Sequence, residues 1–397
     1  MRIGLFTDTY LPQINGVATS VHMLREHLTL LGNEVFVFTT TDPLVRRCER
    51  NVYRIPSVPT VAGRRLAYSP PGIIKTMKTI TELNLDLIHT HTEFSLGLLG
   101  QMAARKNQLP VIHTMHTIYE SYTHYIPGMR QLEPVKKDVV KRLCTAYCNF
   151  ADRVIVPTRK VADLLWSYGV TRDMFIIATG IDIGKFQGGS ISADKVMLLR
   201  RNLGIREDDR VIVSIGRVSV EKNIDELLHA MRTYLPARPN VRLLFVGDGS
   251  ARKDLEKMSF DFGIANQVIF VGEQPWDDIP VFYKLGHIFI SASQSETQGL
   301  TFIEALASGL PVVAKADRCL DGTLYDGVNG YMFSDHNAMM WALDNLLSDE
   351  RRRREMSAQA VYSVQRFSGE YFAQAVQSLY LNTLATEANS TEGLRAG

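Results

Sequence analysis

Short apolar runs alternate along the first half of the chain with segments whose apolar residues recur every three or four positions. Residues 2–6 and 34–39 are such runs, and their continuity predicts strands buried on both faces. The intervening segment predicts an amphipathic helix that ends at Gly32, with apolar positions Val17, Val21, Leu24, Leu28 and Leu31. Further strands are predicted at 86–89, 111–114, 153–157 and 175–178. This alternation predicts a parallel sheet with helices on both faces.

The pattern stops near the middle of the chain and then begins again. Residues 180–190 are rich in glycine and short polar residues, which predicts a domain boundary. Strands are predicted beyond it at 210–215, 241–246, 267–271, 287–291 and 311–314, and helices at 223–235, at 251–262 and over most of 334–385. The chain is therefore predicted to contain two similar α/β halves. Because open parallel sheets bind ligands at the carboxyl ends of their strands, we expect one cleft that the two halves share.

Composition narrows the class of protein. The chain has 397 residues, of which 45% are hydrophobic and 22% charged. A chain of this length can bury a core without disulfides. The four cysteines form no disulfide framework, which is typical of a reducing cytoplasm. The N-terminus leads directly into a predicted strand, and no apolar stretch approaches the length of about 18 residues that a membrane span needs. We therefore expect a soluble or peripheral membrane protein.

Charge is distributed unevenly between the two halves. Residues 1–185 carry 22 Lys and Arg against 15 Asp and Glu, a net charge of +7, and the remainder carries 22 against 27, a net charge of −5. A basic first half suggests an anionic partner for that half only. Nucleic acid is one candidate, but the sequence contains no zinc-finger, basic-zipper or RNA-binding aromatic signature.

The strongest chemical signal is an E-x7-E arrangement in residues 295–314, formed by Glu296 and Glu304. It lies just after a predicted strand, and a helix is predicted to begin near Leu300. The backbone N–H groups of that first turn, which includes Thr301, form an anion site suited to a diphosphate. Gly299 lets a ligand approach the backbone closely because it has no Cβ. The alternative is two solvated glutamates around an ordinary helix N-terminus.

A second signal is the segment G-R-V-S-V-E-K-N, residues 216–223, which follows a predicted strand directly. Its cations, Arg217 and Lys222, could neutralise a departing diphosphate. Asn223 is predicted to cap the next helix, with Glu226 completing a capping box. The alternative is a solvated basic loop.

Two weaker signals lie in the first half. The turn L-P-Q-I-N-G-V, residues 11–17, contains Gly16, and its amides could face phosphate or sugar. Five of the ten histidines fall close together in the sequence, at His89, His91, His113, His116 and His124. A zinc cluster and ordinary hydrogen-bonded histidines at strand ends are both compatible with them, although no Glu or Cys falls at a metal-site spacing. Of these histidines, we expect His116, at the end of a predicted strand, to face the cleft and contact a bound sugar.

Residues 130–150 predict a basic amphipathic helix. The apolar positions at helical spacing are Leu132, Val135, Val139, Leu143, Ala146, Tyr147 and Phe150. The basic positions on its flanks and opposite side are Lys136, Lys137, Lys141 and Arg142. Such a helix is typical of an interfacial anchor on anionic lipid, and the alternative is a surface helix that packs its apolar stripe inward. Cys144 and Cys148 share one face and are predicted to be packing residues.

Taken together, the G-R-x4-K-N segment, the E-x7-E-A segment, the early Asn-Gly loop and the strand-end histidine resemble family 4 glycosyltransferases. The resemblance extends from residue 1 to about residue 380. Within the family, segments 89–97 and 113–125 are similar to bacterial diacylglycerol glucosyltransferases. The resemblance implies a GT-B fold, which is two Rossmann-like domains with parallel sheets facing across a cleft. Residues 1–185 would bind the acceptor and be completed by helix 369–387, and residues 186–368 would bind the nucleotide sugar. The composition of the last residues, 388–397, independently predicts a disordered tail.

The resemblance also assigns roles to the candidate residues. Arg217 and Lys222 would bind the donor diphosphate, Glu304 the ribose and Glu296 the transferred sugar. Gly299, Leu300 and Thr301 would complete the donor site, with Gly16 near the phosphates and His116 near the sugar hydroxyls. Asp182 matches the hinge position of the family, with Thr179 where asparagine is usual and Gln298 where many members have phenylalanine.

The implied reaction is a retaining transfer from UDP-glucose, or UDP-galactose, to a lipid acceptor at the inner face of the cell membrane. No carboxylate is an obvious nucleophile, so the acceptor would attack the face from which the diphosphate leaves. No cofactor or metal is predicted to be required, because Arg217 and a helix dipole can replace a metal ion. The alternatives are a soluble acceptor, a nucleotide-sugar epimerase and a nucleotide-sugar-binding regulator. The oligomeric state is open.

Overall fold

The computed structural model describes residues 1–13, 15–45, 49–59, 65–67, 69–118, 133–187 and 191–395, with side chains described outside 133–136 and 388–395. The chain divides into two compact units. Unit 1 comprises Met1–Gly180 and Gly369–Gly397, and unit 2 comprises Ile181–Ser368. The sequence predicted the first division a few residues later, after residue 185.

Unit 1 is built on a parallel sheet whose strand order is β3-β2-β1-β6-β7-β8-β9. Its strands are β1 (Arg2–Phe6), β2 (Glu34–Thr40), β3 (Val52–Ile55), β6 (Leu87–Thr90), β7 (Val111–Thr114), β8 (Arg153–Val156) and β9 (Met174–Ile176). A separate antiparallel hairpin consists of β4 (Ser57–Pro59) and β5 (Arg65–Ala67). The central strands are buried on both faces, which explains the apolar sequence of β1 and the apolar first halves of β6 and β7.

Helices follow several of these strands in the described part of residues 1–180. They are α1 (Gly16–Leu30), α2 (Pro70–Glu82), α3 (Ser95–Asn107), α4 (Glu133–Phe150) and α5 (Arg159–Tyr168). Helix α1 ends as the sequence predicted: Gly32 has a φ of 83°, and the N–H of Asn33 donates to the carbonyl of Leu28. This left-handed residue and its hydrogen bonds satisfy carbonyls that the end of the helix would otherwise leave unpaired.

Unit 2 is built on a second parallel sheet, with strand order β12-β11-β10-β13-β14-β15. The strands are β10 (Arg210–Ile215), β11 (Val241–Val246), β12 (Val268–Gly272), β13 (Ile288–Ser291), β14 (Val312–Lys315) and β15 (Gly330–Phe333). The helices are α6 (Ile183–Phe186), α7 (Ala193–Asn202), α8 (Ile224–Tyr234), α9 (Arg252–Asp261), α10 (Ile279–Leu285), α11 (Leu300–Ala307), α12 (His336–Ser348) and α13 (Glu350–Ser363). The order of both sheets reverses at a central strand, as in doubly wound folds.

The last helix, α14 (Gly369–Arg395), returns to unit 1. Phe372, Val376 and Tyr380 join the core between the sheet and α1. The other face of that sheet packs against α2 to α5. The sequence placed a disordered tail at residues 388–397, whereas the backbone is helical as far as Arg395. Residues 388–395 contain no proline and a single glycine, Gly393, so nothing in this segment forces the helix to stop.

No helix in the described parts of the chain combines the length and the hydropathy that crossing a bilayer requires.

Candidate functional site in unit 2

The two strongest sequence signals occupy neighbouring loops of unit 2. Segment 216–223 follows β10, and segment 292–299 follows β13. Strands β10 and β13 pair in parallel, so their carboxyl ends meet at one edge of the sheet. This is the position at which open α/β sheets bind ligands.

A direct ion pair joins the two loops. The ammonium group of Lys222 lies 2.5 Å from Oε1 of Glu296. The hydroxyl of Ser293 donates to the same oxygen at 2.8 Å. Both charged side chains are largely buried, and a close pair in such a place holds each partner in one orientation. The structure therefore brings together two residues that lie far apart in the sequence.

The cap predicted for α8 is wrong. Asn223 has a left-handed backbone with a φ of 50° at the end of a short 3-10 turn (Val220–Lys222), and its side chain caps no helix. Its amide instead donates to the carbonyl of Ala292 at 3.2 Å. Glu226 pairs with Lys315 at 2.6 Å rather than with the helix N-terminus. The asparagine thus adds a second connection between the β10 and β13 loops.

Arg217 differs from Lys222 in its environment. Its side chain is 56% exposed, and its guanidinium lies 3.9 Å from a carboxylate oxygen of Glu221. Glu221 is itself held by the hydroxyl of Ser219 at 2.7 Å. An exposed arginine with one distant partner retains donors that can bind a planar or tetrahedral anion.

Backbone segments at this edge approach each other closely. Gly247, which follows β11, has a φ of 135°, and a Cβ there would overlap the carbonyl oxygen of Gly216. A Cβ on Gly249 would overlap the carbonyl of Val218 in the same way. These glycines after β11 were not predicted to belong to the site, although the G-D-G segment directly after an apolar run indicates a close turn there.

Helix α11 begins where the sequence predicted. Gly299 has a φ of 74° and precedes Leu300, the first helical residue, which Thr301 follows. A Cβ at Gly299 would overlap the ring of Phe302. Only glycine therefore fits without strain at the position that directly precedes the N-terminal amides of α11.

Glu304 lies one turn further into α11 and is 3% exposed. The hydroxyl of Tyr283 donates to its Oε2 at 2.9 Å. Burial raises the pKa of Glu304 to about 7, although the hydrogen bond from Tyr283 and the charge of Lys185 oppose that shift. Tyr283 was not identified from the sequence because it lies on α10, and only the packing of α10 against α11 brings it to the carboxylate.

Candidate residues in unit 1

The Asn-Gly turn of unit 1 forms the start of α1. Asn15 caps the helix by accepting from the N–H groups of Val17 and Ala18, and its amide donates to Thr9 at 2.7 Å. Gly16 is the first helical residue. The turn lies after the carboxyl end of β1, at the edge of the unit 1 sheet that would bind ligands.

Asp8, which the sequence analysis did not identify, connects the β1 and β6 loops. Thr92 donates to its Oδ2 at 2.6 Å, and the hydroxyl of Ser95 and the N–H of Leu96 donate to Oδ1. Burial raises the pKa of Asp8, and these donors oppose that shift. These partners follow β6, so Asp8 holds the loops after β1 and β6 together.

Four of the five clustered histidines are described, and three of them contact one another. His89 lies 2.6 Å from the hydroxyl of Tyr380 on α14, and its ring lies 4.0 Å from that of His91. Nδ1 of His91 lies 3.1 Å from Nε2 of His116. Burial lowers the pKa of His116 to about 4, and it lowers the pKa values of His89 and His91 as well. Neutral imidazoles at this sheet edge can both donate and accept hydrogen bonds.

His113, the fourth, sits 3.0 Å from the hydroxyl of Thr90 and 3.4 Å from a carboxylate oxygen of Glu93. His124 lies outside the described residues. Within the described residues, no three His, Cys, Asp or Glu side chains are placed to share a metal ion.

Helix α4 has two apolar faces. Cys144, Tyr147 and Cys148 are buried against the sheet, as predicted for the two cysteines. Val139 and Leu143 are 49% and 65% exposed on the other side. The residues of the predicted apolar stripe therefore lie on two sides of the helix: Tyr147 faces inward, whereas Val139 and Leu143 are exposed.

The predicted basic positions lie partly on the exposed side of α4. Lys137 and Arg142 are exposed, and Arg142 pairs with Asp138 at 2.7 Å. Lys141 is half-buried over the ring of Tyr168. The side chains of Lys136, Leu132 and Val135 lie outside the described residues.

The arrangement at the carboxyl edge of the unit 2 sheet suits a phosphorylated sugar. Cations, a helix N-terminus and close-packed glycines provide donors for phosphate oxygens. A buried carboxylate beyond them can accept from hydroxyl groups.

Comparison with known proteins agrees with this geometry. The family model "Glycosyl transferases group 1" matches residues 197–361, and "Glycosyltransferase Family 4" matches residues 14–185. Among solved structures, HepE of Anabaena in complex with UDP and glucose superposes with a TM-score of 0.77 at 20% identity, covering 96% of this chain and 100% of that one. Sucrose-phosphate synthase of Thermosynechococcus elongatus gives 0.78 at 23% identity, covering 97% and 99%. The fold is that of the GT-B glycosyltransferases.

Curated relatives define the protein further. The alpha-monoglucosyldiacylglycerol synthase of Streptococcus pneumoniae is 40% identical over 388 residues, 97% of this chain and 86% of the relative. The enzyme of the same name from Acholeplasma laidlawii is 32% identical, covering 97% and 98%. The chain belongs to the family 4 retaining glycosyltransferases.

Proposed function

We propose that this glycosyltransferase moves a glucosyl group from UDP-glucose to 1,2-diacylglycerol in a membrane and produces monoglucosyldiacylglycerol. The near-full-length similarity to two synthases of that lipid carries the proposal. The exposed apolar and basic side of α4 supports a membrane acceptor independently. The enzyme would act as a peripheral protein on the inner face of the cell membrane.

In this proposal the β10 and β13 loops bind the donor. Arg217 and Lys222 neutralise the diphosphate, together with the N-terminal amides of α11 that follow Gly299. Glu296 binds hydroxyls of the transferred sugar from the orientation that Lys222 and Ser293 give it. In unit 1, Gly16 contributes to phosphate binding, and His116 donates to a sugar hydroxyl.

The reaction would retain the anomeric configuration by attack on the face from which UDP leaves. The bond between the acceptor oxygen and the anomeric carbon forms as the bond from that carbon to the diphosphate oxygen breaks. The acceptor's proton passes to the departing phosphate oxygen. Stabilising the negative charge on UDP and aligning the two substrates are then the main contributions of the protein.

Product analysis tests the proposal. The protein is incubated with UDP-glucose and mixed vesicles containing diacylglycerol, and the lipids are analysed by mass spectrometry and NMR. We expect an α-linked monoglucosyl lipid. A relative 28% identical is a D-inositol 3-phosphate glycosyltransferase, so inositol phosphate is the soluble acceptor for comparison. Transfer to inositol phosphate, with none to diacylglycerol, would refute the lipid assignment. UDP-galactose in parallel identifies the sugar.

Uridine affinity should rise with pH if Glu304 binds the ribose. Ribose hydroxyls donate better to the ionised carboxylate, whose pKa is about 7 in the free protein, so binding favours proton loss. The dissociation constant for uridine should therefore fall roughly tenfold between pH 6 and pH 8. Uridine is used because it lacks phosphates that titrate in this range. Calorimetry on wild type and Glu304→Gln checks the prediction, and an equal pH dependence in both would contradict it.

The ionisation of Glu304 also makes the stability of the protein depend on pH. Stability should fall with rising pH, whereas uridine affinity should rise. Because the pKa of Glu304 is raised on folding, the unfolded state loses its proton near pH 4.5 and the folded state near pH 7. The contribution of Glu304 to the free energy of unfolding therefore falls as pH rises through this window and is constant above it. Glu304→Gln should reduce this pH dependence.

Membrane binding should depend on the exposed face of α4. Leu143→Asp places a charge in the centre of that face, which we expect to weaken binding to anionic vesicles by about tenfold or more. Leu198, which is similarly exposed on α7 of unit 2, provides the matched control as Leu198→Asp. Flotation measures binding, and activity toward a short-chain acceptor in detergent checks that the catalytic site is intact. Equal flotation of the two variants would exclude α4 as the anchor.

A further inference from the structure

Unit 2 contains a cavity, open to solvent on one side, that the donor site does not use. Its volume is about 170 Å³, well above the roughly 10–15 Å³ that a cavity needs to hold one water. Helix α10, helix α13 and the 308–311 loop surround it. His287 and Pro311 line it and directly precede β13 and β14. The cavity therefore lies at the amino-terminal edge of the sheet, opposite the edge where the β10 and β13 loops meet.

Positive charge is concentrated around this cavity. Lys284 on α10 and Arg353 and Arg354 on α13 line it. Glu350 pairs with Arg354. Burial lowers the pKa of Lys284, and burial with nearby Arg210 lowers the pKa of Arg353. Lys284 and Arg353 are therefore held in a place that disfavours their charge, which an anion would relieve.

The environment of His287 shows the same excess. Burial lowers its pKa to about 4, followed by the charges of Arg353, Arg210 and Arg200. The charges that act most strongly on this imidazole are all positive. Its Nδ1 accepts from the N–H of Val211 at 3.1 Å, so the neutral ring is fixed in the wall.

Ser308 provides a separate observation that points to a ligand. The residue lines the cavity and is 5% exposed, and its hydroxyl oxygen is buried beside the cavity without a hydrogen-bond partner in the described structure. A buried hydroxyl without a partner costs free energy, which a bound acceptor would recover. Lys284 donates to the carbonyl of the same residue at 2.8 Å, so the ammonium group and the free hydroxyl belong to one wall.

We propose that this cavity binds a small anion carrying a phosphate group, at a second site distinct from the donor site. Arg353 and Lys284 supply charge-assisted donors from two helices, and rotation of the Ser308 side chain would bring its hydroxyl to a phosphate oxygen. Tyr283 also lines the cavity while its hydroxyl donates to Glu304. The anion site and the proposed ribose site therefore share one side chain.

Hydrogen–deuterium exchange of the full-length protein with inorganic phosphate tests the site, with sodium chloride at equal ionic strength as reference. We expect phosphate to slow exchange in segments 284–287, 308–311 and 353–357. Because the readout is local, protection of residues 216–223 reports the donor site separately. No protection at the cavity would overturn this inference and leave the proposed function unaffected.

Two variants on different helices make the test specific. Arg353→Gln and Lys284→Met should each raise the phosphate concentration that gives half-maximal protection at the cavity by roughly tenfold or more. Arg351→Gln is the control, because Arg351 is solvent-exposed on the same helix and has the same charge. Circular dichroism verifies folding of each variant. Equal phosphate affinity in all three would overturn the site.

Vesicles distinguish the possible sources of the phosphate group. Phosphatidylcholine vesicles containing phosphatidic acid are compared with free phosphate at the same phosphate concentration. Protection at the cavity by both assigns the site to a lipid headgroup, and protection by free phosphate alone assigns it to a soluble phosphorylated compound. Protection by neither refutes the proposal.

Discussion

Lys222→Ala should lower kcat for sugar transfer by about 10²-fold or more. The substitution removes a cation that we place on the leaving diphosphate, where negative charge develops in the transition state. It also removes the ion pair that orients Glu296. Both losses affect the transition state more than substrate binding, so kcat should fall further than KM changes. Steady-state kinetics with UDP-glucose and the lipid acceptor measures the effect.

Arg217→Ala separates the chemical from the structural contribution. The arginine is more than half exposed and makes one distant ion pair, so its loss should hardly change the free energy of unfolding. We nevertheless expect a similar fall in kcat. Lys257→Ala, an exposed lysine on α9, is the matched control and should retain wild-type turnover. Wild-type turnover in both Lys222→Ala and Arg217→Ala would refute the phosphate assignment.

Gly299→Ala should destabilise the protein and abolish most of its activity. The residue has a φ of 74°, which costs about 1 kcal/mol or more for alanine. Its Cβ would also overlap the ring of Phe302, which adds roughly 1–3 kcal/mol of packing strain. Relief of this strain would move the start of α11, and with it the amides proposed to bind the diphosphate. Thermal unfolding and donor-binding calorimetry measure the two effects.

Gly263→Ala separates the two sources of strain. Gly263 also has a left-handed backbone, with a φ of 71°, but a Cβ there meets nothing within 4 Å. It should therefore show only the backbone cost, with unchanged donor affinity. If the two variants lose equal stability and both bind UDP normally, the Phe302 contact has no role in shaping the site.

The regular elements were readable from the sequence for a definite physical reason. Strands of a parallel sheet with helices on both faces are buried on both sides, so β1, β10 and β11 are predominantly apolar. The hairpin of β4 and β5 was not predicted. Its strands are short and half exposed, so they carry no strong apolar pattern.

The candidate site was readable where the chemistry is local in sequence. Arg217, Lys222, Glu296 and Gly299 lie in loops directly after strands, and the order of strand, loop and helix places such loops at one edge. Tyr283 and Asp8 were missed because their partners come from separate elements. Asn223 was misassigned because a cap was inferred from residue type, whereas its backbone is left-handed.

The sequence by itself determined the α/β alternation, the two-part organisation and the residues placed at strand ends, because burial and turn formation act on neighbouring residues. Only the tertiary structure decided that Lys222 meets Glu296, that Tyr283 reaches Glu304 and that α4 exposes Leu143 while burying Tyr147. These contacts depend on strand order and helix packing. Long-range packing is set by the whole core, which no local pattern encodes.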